Sequence, residues 1–240
     1  MNQPKKIRYK YRIKYSKGPE LRFVSHLDLM RLFQRAVRRA GLPIGYSHGF
    51  NPHQLMSFGN PLSLGMTSIG EYCDFEFETP VEPREIAERL GAVMNDGVEI
   101  ISAARLSQQA KSAMAELCAC EYEAYIDGLV TDEDIAEKLT DFLAQKEISV
   151  MKKTKNHFEK TDIRPDIYSI EDISRDGKPA LKLVLAAGSI RSLRADLTVQ
   201  TLCEYAGAAF DRFKVRYRRT EMYKELDGKL VPLDKEVAEK

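Results

Sequence analysis

The most constraining feature of this chain is a change of period within its first forty residues. Residues 7–16, IRYKYRIKYS, alternate with period two: Ile7, Tyr9, Tyr11, Ile13 and Tyr15 on one side, Arg8, Lys10, Arg12 and Lys14 on the other. That alternation predicts a strand with an apolar face and a wet, cationic one. Ser25-His26-Leu27-Asp28 then fits a capping box, in which the Ser25 hydroxyl accepts from a free N–H of the first turn. Leu29, Leu32, Phe33, Ala36 and Ala40 follow at helical spacing, and Gly41 and Pro43 end the run. These apolar residues make a stripe that faces a core.

The same alternation continues. Strands are expected near 55–58, over 71–78 and over 98–106, with a helix opening at Pro83 and running to Met94. This gives the order β-α-β-β-α-β. The second half roughly repeats it with an extra hairpin strand: a strand at 120–126, a helix capped by Thr131 and running to Gln145, strands at 148–153, 167–173 and 180–187, a helix at 195–206 and a strand at 214–223. The expected fold class is α+β, two tandem ferredoxin-like (β-α-β-β-α-β) units with antiparallel sheets. The expected domains are residues 1–110, residues 117–233 and a tail at 234–240. The two halves share element order, not sequence.

Charge is unevenly spread along the 240 residues. Residues 1–60 carry net +10, residues 61–150 net −13 and residues 151–240 net +4. The basic third suits a polyanion, unless the acidic third folds against it and cancels it. No apolar run is long enough for a membrane span, and the basic N-terminus lacks the apolar core of a secretory signal. A cytoplasmic protein is expected. Four cysteines, Cys73, Cys118, Cys120 and Cys203, are too sparse for a disulfide scaffold. Cys118 and Cys120 share a strand face, but no further ligands stand at metal-site spacing. No CxxxCxxC run exists to hold a three-cysteine iron–sulfur cluster.

Three segments carry candidate chemistry. Arg31, Arg35 and Arg38 line one face of the first helix with Arg39 beside them, and guanidinium forks match phosphate oxygens. The alternatives are a salt-bridged face, with Asp28 pairing Arg31, or a protein interface. The loop Tyr46–His53 gathers Tyr46, His48, Phe50, Asn51 and His53 around Gly49, groups able to stack on or bond a ligand. His26 and His48 are the weak candidates for acid–base work; no metal site is expected. The basic run around Lys153 and Lys155, read as a loop, leads into Asp162 and Arg164, which share a face and either anchor that loop or touch a ligand.

The runs Arg22-Phe23-Val24-Ser25-His26-Leu27-Asp28-Leu29-Met30-Arg31, Arg35–Pro43 and Tyr46-Ser47-His48-Gly49-Phe50-Asn51-Pro52-His53 closely resemble radical SAM-linked proteins, domains of unknown function found beside or fused to radical SAM enzymes. Lys155, Asp162-Ile163-Arg164-Pro165, Arg219-Thr220-Glu221 and Leu230-Val231-Pro232-Leu233 look like later parts of the same family. The resemblance implies a radical SAM enzyme as partner, with the iron–sulfur cluster and S-adenosylmethionine in that partner, and RNA or another anionic macromolecule as substrate. It carries no catalytic residues. The expected function is an accessory binding protein. The alternatives are a metal-independent RNA endonuclease of similar architecture and a structural subunit that docks the partner.

Overall fold

A computed structural model describes residues 7–128, 132–153 and 158–235. It is a mixed α+β structure dominated by antiparallel strands, and the chain divides into two compact units: residues 1–117 with 222–240, and Cys118–Glu221. The sequence reading keeps 117–233 together. Here the last segment, from Met222 on, belongs with the first unit. Among the described residues, no helix is long and apolar enough to cross a membrane.

The first unit runs β1 (Tyr9–Lys17), α1 (His26–Arg39), β2 (Met56–Phe58), β3 (Thr67–Phe77), α2 (Pro83–Gly91), β4 (Ile100–Arg105) and the single turn α3 (Ala113–Glu116). β1 is central, antiparallel to β3 on one edge and β4 on the other, and β2 pairs with the far edge of β3. Tyr11, Ile13 and Tyr15 put their rings and branches into a core closed by Leu29, Leu32, Phe33, Ala36 and Val37 of α1 and by Ile86 and Leu90 of α2. Phe33 is fully buried. It meets Tyr15, Phe58 and Phe75 edge-on at 4.8–6.3 Å, and a ring so buried contributes about 2–3 kcal/mol by transfer alone. Gly41, at φ +60°, ends α1 in a conformation that costs glycine little.

The opposite face of β1 corrects the expectation of a wet, cationic surface. Arg12 is 1% exposed. Arg12 is caged by Asp74, Glu116 and two backbone carbonyls. Arg8 pairs with Glu78, Lys14 approaches Asp234, and Lys10 donates to the carbonyls of Gln108 and Ala110. The physical reason is register. β3 sets Asp74 directly across from Arg12 and leads into Glu78, within reach of Arg8, and such charge pairs favour one pairing of strands.

The second unit continues with β5 (Leu117–Ile126), α4 (Asp132–Ala144), β6 (Ser149–Lys153), β7 (Phe158–Asp162), β8 (Ile167–Asp172), β9 (Ala180–Ala186), α5 (Ala195–Tyr205) and β10 (Val215–Leu226). Its strand order is β10-β5-β9-β8, with β6 and β7 in a separate hairpin. Leu181, Leu183 and Leu185 of β9 are wholly buried. Cross-strand pairs Arg218–Glu123, Thr220–Glu121 and Lys182–Glu121 cover the polar face. β10 ends in the first unit, where its last residues pair with β11 (Lys229–Pro232). β7 corrects the reading of 152–160 as a loop. Its residues are mostly exposed, so pairing with β6, not a buried face, holds it, and no apolar alternation betrays it. The expected helix cap Thr131 lies outside the described residues. All four cysteines are free thiols.

Candidate nucleic-acid interface

Helix α1 begins as its sequence requires. The Ser25 hydroxyl accepts from the Asp28 N–H at 3.2 Å and donates to the Asp28 carboxylate at 2.8 Å. Asp28 also takes a bond from Arg31 at 2.9 Å. The Ser25 and Arg31 bonds hold the Asp28 carboxyl below its ordinary pKa.

Beyond Arg31 the helix surface is open. Arg35, Arg38 and Arg39 are exposed. Arg38 Nε reaches back to the Gln34 carbonyl at 3.3 Å, and Arg39 donates to the Val93 carbonyl at 2.6 Å. Among the described residues, no carboxylate lies within ion-pair distance of Arg35, Arg38 or Arg39. Acids of the middle third therefore pair with Arg8 and Arg12 of β1 and leave the helix ridge without a carboxylate.

The Tyr46–His53 loop is a tight, two-sided excursion. Gly45 N donates to the Glu76 carbonyl at 2.7 Å, and Glu76 N donates to the Leu55 carbonyl at 3.0 Å, fixing both ends on β3. Ser47 N bonds the His53 carbonyl at 2.8 Å, and His53 N bonds the Ser47 hydroxyl at 2.9 Å. The tip, residues 48–52, is exposed, with Phe50 fully in solvent and Gly49 at φ +123°. The Gln54 amide donates to the Gln34 carbonyl at 3.3 Å and to the Tyr46 hydroxyl at 3.4 Å. Gln34 is thus the seam between loop and helix, its carbonyl shared by Gln54 and Arg38. Sequence reasoning missed Gln34 and Gln54, because a glutamine on a polar face carries no periodic or motif signal.

His26 does not stand with the loop histidines. It packs edge-on against Phe58 at 5.6 Å and borders a small recess with Lys17, Asn60 and Glu71. Burial lowers its pKa; Glu71 opposes that shift and Lys17 adds to it. His48 and His53 are exposed on the loop. No hydrogen bond between described residues joins His26 to either.

In the second unit, Asp162 Oδ1 accepts from the N–H groups of Ile148 and Arg164, each at 2.9 Å. Arg164 donates to the carbonyls of Leu143 and Ile167 at 3.0 and 3.1 Å. Both side chains tie the β6–β7 hairpin to its neighbours, which is the anchoring role. Lys153 ends β6; its side chain and Lys155 lie outside the described residues. No cluster of three or more His, Cys, Asp or Glu suited to a metal occurs among the described residues.

What the geometry defines is a surface with free guanidinium groups beside a rigidly based, aromatic-tipped loop. Guanidinium groups match phosphate oxygens, and an exposed ring can stack on another ring. The chain belongs to the family described as an uncharacterized protein conserved in bacteria (DUF2344), whose profile matches residues 10–195. No curated protein matches it. A solved structure, the crystal structure of an unknown protein from Galdieria sulphuraria, is 14% identical to this chain, covers 92% of it and 100% of its own length, and has a TM-score of 0.27.

Proposed function

We propose that the chain is an accessory binding protein that holds single-stranded RNA on the α1 ridge and the Tyr46–His53 loop and presents it to a radical SAM enzyme. The observation that carries this reading is the contrast between cations. Those of β1 are buried or paired, whereas Arg35 and Arg38 stand in solvent without a carboxylate. At the tip of the loop whose base bonds Gln34, Phe50 offers an uncovered ring. Fully neutralised cations would serve stability alone; free ones beside an exposed ring suit a phosphate chain with accessible bases. The radical SAM partner comes from the sequence resemblance, and the cluster and S-adenosylmethionine would belong to that partner in the cytoplasm.

In the same reading each unit is ferredoxin-like. The support is topological. The first unit has the order β1-α1-β2-β3-α2-β4 with strands arranged β4-β1-β3-β2. The second has the arrangement β10-β5-β9-β8, with the β6–β7 hairpin inserted after its first helix.

The test is titration of a fluorescent single-stranded RNA at several salt concentrations. The parent should bind with a salt-dependent constant, and Arg35→Ala/Arg38→Ala should bind more weakly. Equal binding by both proteins would remove the reading.

A further inference from the structure

The first unit holds a cavity of about 240 Å³ on the polar face of its sheet, between β2, β3 and the segment 106–112. Leu55, Met56 and Leu106 line it together with seven polar residues, among them Lys10, Asp74, Glu76, Lys111 and Ser112. Glu76 distinguishes it. Glu76 lies across from Lys10 in the β1–β3 register, yet Lys10 turns instead to the carbonyls of Gln108 and Ala110 at 3.0 and 3.2 Å. The next rung, Arg12 with Asp74, is closed by two hydrogen bonds. Among the described residues no side chain bonds the Glu76 carboxylate, which is half-buried at the wall of the cavity.

The cavity also adjoins the proposed RNA surface. The backbone of Glu76 bonds Gly45 and Leu55, the two ends of the loop. The neck of the loop therefore borders the cavity, on the face of the sheet opposite α1.

An unpaired carboxylate selects a donor pair, because two parallel N–H groups satisfy both of its oxygens. Leu55, Met56 and Leu106 give a ring an apolar surface to pack on. A cavity of about 150 Å³ accommodates benzene, so about 240 Å³ is ample for a two-ring base. We propose that this cavity receives one unpaired nucleobase that offers an amino–imino edge to Glu76, as guanine does with N1–H and its exocyclic N2. The inference rests on the RNA reading for its biological ligand, but a free nucleoside and a base turned out of a strand present the same edge.

Free nucleosides therefore provide the test. Guanosine, adenosine, cytidine and uridine are titrated into the full chain, followed by calorimetry and by amide NMR shifts of Leu55 and Glu76. Guanosine is expected to bind at least about tenfold more tightly than uridine, which has one imino donor and no amino group. Glu76→Gln, which replaces one acceptor oxygen by a donor, is expected to lose at least about tenfold of the guanosine affinity. Ser112→Tyr, at an exposed position on the cavity wall, is expected to weaken every nucleoside. Arg35→Ala/Arg38→Ala should leave guanosine binding unchanged, so failure on the ridge and failure in the cavity are read separately. Equal affinities for guanosine and uridine would overturn the proposal. So would an unaltered guanosine affinity in Glu76→Gln, or displacement of guanosine by agmatine at equal concentration, which would assign the cavity to amines rather than bases.

Discussion

Arg12 and Asp74 face each other across β1 and β3 and close a bidentate pair, Nε to Oδ1 at 2.8 Å and Nη2 to Oδ2 at 3.0 Å. Glu116 accepts from Nη1 of the same guanidinium at 2.7 Å, and the carbonyls of Lys111 and Leu233 take its remaining donors. Burial alone would lower the Arg12 pKa, but Asp74 and Glu116 outweigh it and leave it raised. One side chain thus ties four separated stretches of chain together. Arg12→Ala leaves Asp74 and Glu116 without their cation, and the expected loss is about 3–5 kcal/mol. Arg12→Ala/Asp74→Ala should lose less than the two single changes summed, since each single change already breaks the pair. Urea unfolding of the four proteins measures both quantities, and strict additivity would contradict the account.

The helix ridge makes the opposite expectation for stability. Arg35 and Arg38 are exposed, and no carboxylate holds them. Arg35→Ala/Arg38→Ala should therefore unfold within about 0.5 kcal/mol per substitution of the parent. If each arginine neutralises one phosphate, the slope of log affinity against log salt for single-stranded RNA should become shallower by about 1.4 in total. A parallel salt dependence in both proteins would show that the ridge is not the contact.

Phe50 separates stacking from charge. Its ring is fully exposed at the loop tip and contributes nothing to the core, so Phe50→Ala should not shift the melting temperature. Stacking on one base is worth about 1–3 kcal/mol, so Phe50→Ala should weaken RNA binding by that amount while leaving the salt slope unchanged. Phe50→Tyr should restore it. Fluorescence anisotropy at two salt concentrations distinguishes the outcomes.

Much of the architecture is legible in the sequence because it is written in period. The strand at 9–17, the capped helix at 26–39 and the leucine-rich strand at 180–186 each bury one face continuously. What escaped is written in pairing rather than burial. Phe158–Asp162 is held by its β6 neighbour. Thr67–Gly70, ahead of the strand expected over 71–78, joins β3 because Ser68 pairs with Lys17, and small polar residues signal nothing alone. The site was legible to the extent that exposed arginines and a glycine-centred aromatic loop are compositional signals. Whether the cations were free was not, because that depends on which acids the register of β3 brings to β1. Glu76 escaped for the same reason: its vacancy exists only because Lys10, its cross-strand neighbour, is turned toward two carbonyls.

His26 supplies a check in pH. Burial against Phe58 and the recess lowers its pKa below the ordinary imidazole value, the Glu71 charge opposing this and the Lys17 charge reinforcing it. The folded chain then takes up this proton less readily than the unfolded chain. The neutral-imidazole contribution to stability is complete above the unfolded value, about pH 6.5, and falls as pH drops through it toward the lowered folded value. The melting temperature of the parent should therefore decline between about pH 7.5 and about pH 5.5 by more than that of His26→Gln. The variant should start lower, having lost the ring contact with Phe58, and titrate less. Identical slopes in the two proteins would mean that His26 keeps its ordinary affinity for protons, and that solvent reaches the recess beside Phe58.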